Sequence, residues 1–196
     1  MILLGAAAVA GMVIGRLRGG RWQGLSALRV RWPWLPAVAL ALQVAIGAGP
    51  VRGLGAGRTV LLVASYTLVG AWLWLNALAR AGPLRWALVA VAEGWLLNAV
   101  VMVANGGMPV SNAALAHIGH AGAAVAEGHL WKHVVVSPAT RMPLLGDVIP
   151  VPTPLLRSVV SVGDLFMLAG IAVAVAVAMS ATRPRAAPVR LEPAVA

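Results

Sequence analysis

The sequence predicts an all-α integral membrane protein: a bundle of about five transmembrane helices with one extracytoplasmic loop between the fourth and the fifth. Hydrophobic residues make up 61% of the 196-residue chain and charged residues only 10%, against roughly 45–50% and about 25% in a soluble domain. The mean hydropathy is +0.90. The basic residues stand between long apolar runs, and all four histidines and three of the five acidic residues fall in one stretch, residues 105–164. This composition excludes an ordinary soluble protein.

Apolar runs define the expected spans. They cover about residues 1–15, 34–48, 59–79, 84–104 and 163–181. Together they predict one transmembrane domain over residues 1–181, followed by a disordered cytoplasmic tail, 182–196, that has three prolines and no apolar periodicity. The first run is short for a hydrocarbon core of about 30 Å, so an interfacial first segment, with four crossing helices, is the alternative.

The arginines predict the orientation. Ten basic residues fall on one side of the expected spans and five on the other, and the richer side is expected to face the cytoplasm. No basic segment precedes the first run, and Arg16, Arg18 and Arg21 follow it, the reverse of a cleaved signal peptide. We therefore expect the N-terminus outside and the C-terminus inside. The net charge of +10 is interpreted in this way and not as nucleic-acid binding, since no aromatic stacking platform accompanies it.

A stripe of small residues marks the first span. Ala7, Gly11 and Gly15 recur every four residues, a spacing that lets another helix approach closely. We expect this stripe to pack against the chain's own helices rather than to mediate dimerisation.

Three polar residues fall within the expected spans. Glu93 lies near the middle of the fourth, where a carboxylate costs roughly 2.5–3.5 kcal/mol on insertion scales, so we expect it to face the bundle interior. Gln43 and Tyr66 reach a similar depth, and the three are predicted to form one hydrogen-bonded cluster. The cluster either holds helices together or handles protons or substrate, as in a small proton-linked transporter that uses Glu93.

The polar residues at the outer ends of the spans and in the loop predict an outer pocket. Asn98 and Asn105 share a helix face, and Asp164 is placed at the start of the fifth span either to cap it or to meet them. His133 and Asp147 would complete the pocket.

The loop around this pocket carries its own local signals. Ser111 is a good N-cap for a short helix through about Ala116. The proline-rich stretch 141–157 cannot be a spanning helix and is predicted either to lie extended over the outer mouth or to dip into the bundle as a loop shielded by protein. The pocket either binds an anionic group such as phosphate or is an ion-paired plug that fixes the loop.

The histidine spacings raise a metal-site alternative. His117 and His120 are three apart, His129 and His133 are four apart, and Glu127 or Asp147 could add a ligand. Glycines among them weaken the helices that this spacing would need. We therefore predict no metal and no cofactor, and the absence of cysteine excludes disulfides and thiolate ligands.

Four short motifs carry a family resemblance. They are Asn105-Gly106-Gly107-Met108-Pro109-Val110, Lys132-His133, Gly146-Asp147-Val148-Ile149-Pro150 and Ser161-Val162-Gly163-Asp164. With them the chain resembles, over nearly its whole length, a family of small bacterial membrane proteins known only as a domain of unknown function. The resemblance implies a multi-pass protein of the cytoplasmic membrane and no established activity, and it favours His133 over the other histidines.

Three functions are open on the sequence. The favoured one is a binding or accessory protein whose outer pocket holds a lipid headgroup, an isoprenoid phosphate or a membrane-protein partner. The second is the transporter. The third is an enzyme that acts on a lipid or polyprenyl phosphate, with His133 and Asp147 as base and orienter. No nucleophile elbow, phosphate-binding glycine loop or paired acidic motif supports an enzyme.

Overall fold

The computed structural model describes residues 2–47, 56–119, 133–153 and 157–180. The predicted tail lies outside these ranges. So do several residues of the metal-site alternative and the basic residue of one motif: His120, Glu127, His129 and Lys132.

Helices dominate the described residues. In chain order they are α1 (Ile2–Leu17), α2 (Gln23–Ser26), α3 (Trp34–Gly47), α4 (Ala56–Leu78), α5 (Gly82–Asn105), α6 (Asn112–His117) and α7 (Val162–Ser180). The ends of each of the five long helices lie within about three residues of the ends of a predicted span. Three of them contain apolar segments long enough to cross a membrane: Thr59–Leu78, Gly82–Asn105 and Val162–Ser180. The apolar helices α1 and α3 are shorter, at 16 and 14 residues.

The long helices pack in a row. The main contacts link them in the order α1, α7, α5, α4, α3. Neighbours are antiparallel, except that α1 runs parallel to α7, because Gly11 meets Ala172 and Gly15 meets Ala176. We call the end that carries residues 105–119, 133–153 and 157–162 the loop end, and the opposite end, which carries Arg16 to Arg31, the arginine end.

Small residues set the closest helix contacts. Ala7, Gly11 and Gly15 are all buried, and the two glycines lie against α7, which confirms the prediction that this stripe packs within the chain. Gly94 of α5 and Gly163 of α7 lie against each other's backbone with no room for a Cβ atom. Lipid tails are as apolar as leucine side chains, so no hydrophobic force draws helices together in a membrane. Close packing of this kind is therefore a main source of helix association there.

The ends of the helices follow the local sequence. Pro83 lies in the first turn of α5, and Gly106 ends that helix in the left-handed conformation, with φ 69°. Ser111 caps α6 by accepting a hydrogen bond from the Ala114 N–H, as its residue type predicts.

Short strands cover the loop end. Strand β1 (Met108–Val110) pairs in parallel with β2 (His133–Val135). Strand β3 (Ile149–Pro152) pairs antiparallel with β4 (Arg157–Val160), which leads into α7. Within the stretch expected to be extended, Ile149–Pro152 is a strand, and Pro143–Leu145 is a 3-10 turn. The strand pairing itself was not predicted.

The α5–α7 contact yields a stability prediction. In Gly94→Ala the new methyl group meets the Gly163 carbonyl and the Met167 side chain, so we expect a loss of about 1–3 kcal/mol, as for other overpacked sites. Gly5→Ala is the matched control, because a Cβ at Gly5 has nothing within 4 Å. Thermal unfolding in detergent measures both variants. Equal unfolding midpoints for the two would contradict the proposed role of this contact.

Candidate functional site

Three chain segments meet side by side at the loop end. Strand β1 lies next to β2, in a register that sets Met108 opposite His133. On the other side Asp147 bridges to β1: its N–H donates to the Pro109 carbonyl at 2.7 Å, and its carbonyl accepts from the Ser111 N–H at 3.0 Å. Gly146 lies against the Pro109 backbone with no room for a Cβ. Backbone bonds therefore fix Asp147, whatever its side chain does.

This arrangement joins two of the predicted pocket residues. His133 Nε2 lies 3.3 Å from Asp147 Oδ2, with side-chain exposures of 30% for the histidine and 10% for the aspartate. The other polar atom of each side chain, His133 Nδ1 and Asp147 Oδ1, is buried and has no hydrogen-bond partner among the described residues. A buried polar atom without a partner costs about 1–3 kcal/mol. The pair therefore has unused hydrogen-bonding capacity.

The surroundings of Asp147 favour its neutral form. Burial raises the pKa of this carboxyl, the hydrogen bond from His133 opposes that rise, and the negative charge of Asp164 adds to it. Burial is the largest of these effects because it removes the solvation that a carboxylate needs. A hydrogen-bond donor or a positive charge beside this carboxyl opposes the rise in its pKa, as His133 does.

A second network lies close by, between α5 and α7. Asn98 Nδ2 donates to Asp164 Oδ1 at 2.8 Å, and Ser161 Oγ donates to Asn98 Oδ1 at 2.8 Å. Ser161 and Asp164 also form a capping box for α7: the Asp164 N–H donates to Ser161 Oγ at 2.9 Å, and the Ser161 N–H donates to Asp164 Oδ2 at 3.1 Å. Asp164 thus takes part in the cap of α7 and meets Asn98, as its position predicted, but its described hydrogen bonds do not include the expected one with Asn105.

Asn105 lies apart from both networks. Its side-chain amide accepts from the Arg141 N–H at 2.8 Å and donates to the Arg141 carbonyl at 2.9 Å. The amide therefore ties the returning loop to the end of α5. At the arginine end, Asn76 holds the backbone of Arg31 in the same way, at 2.9 and 3.1 Å.

The five predicted pocket residues thus fall into three groups. Asn98 and Asp164 are in contact, His133 and Asp147 are in contact, and Asn105 binds loop backbone. Sequence reasoning overlooked Ser161 as a member of the site, although Ser161-x-x-Asp164 is a recognisable capping-box pattern. The binding role of these residues stays a prediction.

The intramembrane residues are arranged differently from the expectation. The Tyr66 hydroxyl donates to Met102 Sδ at 2.8 Å, and the Tyr66 carbonyl accepts from Trp95 Nε1 at 2.9 Å. Glu93 does not face the interior of the row: its side chain is exposed, on the wall of a groove that Tyr66 also lines. Gln43 lies on the neighbouring α3. The three-residue cluster stays a prediction.

The metal-site alternative falls largely on residues that the structure does not describe. Within the described ranges no three histidine, cysteine or acidic residues come close enough to hold a metal ion. His117 lies on α6 with its ring bonded to the Ala113 carbonyl at 2.9 Å. The prediction that the protein holds no metal is therefore left untested.

The raised pKa of Asp147 predicts a pH effect on stability. The folded protein holds the Asp147 proton more tightly than the unfolded chain does, so this proton stabilises the fold. That stabilisation is complete below the usual aspartate pKa of about 4, and it is lost as pH rises through the pKa of Asp147 in the folded protein. Between these two pKa values, we expect the thermal unfolding midpoint of the wild type to fall relative to that of Asp147→Asn, whose side chain cannot ionise. His133→Gln removes the charge that opposes the rise and should extend the interval to higher pH. Parallel midpoint-against-pH curves for all three proteins would contradict this account.

Comparison with known proteins identifies a family. A search of curated proteins and a search of solved structures find no match to the chain. The match to a protein family covers residues 27–176, which begin ahead of α3 and end in the last turns of α7. It therefore includes the His133–Asp147 pair and the α5–α7 network. The chain belongs to DUF5317, a family of unknown function.

Proposed function

We propose that this protein is a membrane binding protein whose loop-end site, the His133–Asp147 pair, takes the headgroup of a lipid. The observation that carries the proposal is the unused hydrogen-bonding capacity of the pair: His133 Nδ1 and Asp147 Oδ1 are buried without partners in the described structure. A buried carboxylate oxygen of this kind accepts a hydrogen bond from a ligand. The imidazole of His133, whose side chain is 30% exposed, offers the route from solvent.

The local charge favours an amine over a bare phosphate. The negative charge of Asp164 acts on Asp147, and His133 contacts Asp147 at 3.3 Å. A phosphate placed here would add negative charge beside these acidic groups, whereas an ammonium would donate a hydrogen bond to Asp147 Oδ1 and oppose the charge of Asp164. We therefore favour a headgroup with a primary amine, such as ethanolamine, over the isoprenoid phosphate.

Lipid-loading experiments test the proposal. Native mass spectrometry of the detergent-purified protein, supplied with equal phosphatidylethanolamine and phosphatidylglycerol, should show preferential retention of phosphatidylethanolamine. Loss of one charge-assisted hydrogen bond, about 1.5–3 kcal/mol, should lower that retention at least tenfold in Asp147→Asn. His117→Gln is the matched control, because His117 is exposed on α6 and takes no part in the pair.

Two results of this experiment would count against the amine. Preferential retention of phosphatidylglycerol would assign phosphate recognition to His133. Equal retention in wild type and Asp147→Asn would favour the alternative that the pair is a structural plug of the loop.

The same proposal includes a five-span topology in the cytoplasmic membrane. It is supported by α1, which runs beside α7 in the same direction, and by α3, which runs antiparallel to α4 with Arg31 held by Asn76. A chain with five such helices has its ends on opposite sides. The excess of basic residues at the arginine end favours that end in the cytoplasm, with the site outside.

Cysteine labelling tests the topology cleanly, since the chain has no cysteine. A membrane-impermeant maleimide added to intact cells should label Ser137→Cys, in the exposed loop, and should label Ala81→Cys, in the exposed turn before α5, only after lysis. Labelling of Ala81→Cys alone in intact cells would show the opposite orientation.

The two other functions gain unequal support. The 3.3 Å contact between His133 and Asp147 is one that a base-and-orienter pair also needs, so the enzyme alternative shares this site. The transporter alternative depends on Glu93, which lies on an exposed groove wall and not in a path enclosed by the described helices.

A further inference from the structure

The exposed face of α5 has the pattern of a helix-pairing seam. From Trp86 to the end of the helix, the exposed residues are Trp86, Glu93, Leu96, Val100 and Val103. Their spacings are seven, three, four and three residues, which is the repeat by which two helices pack along a common line. All other described residues of α5 in this range are buried or partly buried against neighbouring elements. We call these five residues the α5 seam.

A carboxyl in the centre of this seam requires a partner. Glu93 is the twelfth residue of a 24-residue helix that is long and apolar enough to cross a membrane. In the described structure its side chain has no hydrogen bond or ion pair, and a carboxyl facing hydrocarbon at this depth costs several kcal/mol. Something outside the chain's own described helices must therefore offer it a polar contact.

The surface around Glu93 has room for another helix. Four seam residues, Glu93, Leu96, Val100 and Val103, form one wall of an open groove of about 690 Å³ between α4 and α5, and small residues such as Gly70, Ala71 and Ala92 line it. Small residues at a surface let a second helix approach closely. The large side chains of Leu96 and Val100 project from the same face. One face thus offers both a ridge and a groove, which is the requirement for a self-complementary interface.

We propose that the α5 seam is the interface of a two-fold homodimer in which Glu93 pairs with Glu93 of the partner subunit. Copies of one membrane protein insert in the same orientation, so a two-fold axis along the membrane normal brings each residue opposite itself at the same depth. A carboxylic acid carries one donor and one acceptor, so two of them satisfy each other without another chemical group. A polar residue at one seam position also fixes the register of the two helices.

Disulfide cross-linking of the full chain in its membrane tests the dimer. Because the chain has no cysteine, Val100→Cys should give a covalent dimer under mild oxidation of membrane vesicles. Val44→Cys is the matched control: it is a valine on α3 that is 60% exposed, against 46% for Val100. The Val44 variant should stay monomeric under the same conditions.

Substitution of Glu93 in the Val100→Cys background tests the carboxyl pair. Glu93→Leu should lower the cross-linked fraction on the order of tenfold, as expected for the loss of an interhelical hydrogen bond in a membrane. Glu93→Gln, whose amide also donates and accepts, should keep most of it. Folding of each variant is checked by its thermal unfolding midpoint in detergent.

Three outcomes would overturn the proposal. Equal cross-linking at Val44 and Val100 would show random collision of copies. The absence of a Val100 cross-link in a folded protein would leave the seam to lipid or to a different helix. Cross-linking unchanged in Glu93→Leu would remove Glu93 from the interface.

Discussion

The close contact between α5 and α7 at Gly94 and Gly163 is the constraint on which the site depends. In hydrocarbon no hydrophobic force draws helices together, so backbone contact and interhelical hydrogen bonds carry the association. The glycine contact brings Asn98 within hydrogen-bond distance of Asp164 and Ser161. It also fixes where α7 begins, and hence the position of the β3–β4 hairpin that leads into it. A wider helix separation would break the network and release the loop.

Two aspartates a short distance apart have different environments, and this difference locates the binding capacity. Asp164 receives hydrogen bonds from Asn98 and from the Ser161 backbone, so both of its oxygens are satisfied. Asp147 is more deeply buried and shares one oxygen with His133 while the other has no described partner. The first carboxyl is therefore a structural element of the helix junction, and the second is the group with capacity for a ligand.

Local patterns in the sequence predicted the helices, the Ser111 cap and the α1 stripe, because each depends on spacing within one helix or at one helix end. The Asn98–Asp164 contact joins α5 and α7, and it was expected because both residues lie near the same end of their predicted spans. The sequence offered the His133–Asp147 pair only as one possibility, because their contact depends on the register between β1 and β2, strands of three residues, one containing a proline. Such strands have no readable alternation, and the loop path that pairs them is long. Glu93 was expected inside because a polar residue in a span usually faces protein; its true direction depends on how α5 is rotated against α4 and α7.

Asp147 and Glu93 pose the same physical problem in two places. A buried acceptor without a partner costs about 1–3 kcal/mol, and a carboxyl facing hydrocarbon costs roughly 2.5–3.5 kcal/mol. Folded proteins are stable by only about 5–15 kcal/mol, so two such costs take up a large share of the available stability. No described neighbour fully removes either cost. His133 contacts only one oxygen of Asp147, and Glu93 faces away from the row of helices. We propose that each cost is relieved from outside the described residues, by a headgroup donor at the loop end and by a second carboxyl along the seam. The polar groups that the fold leaves unsatisfied are thus the ones that indicate what it binds.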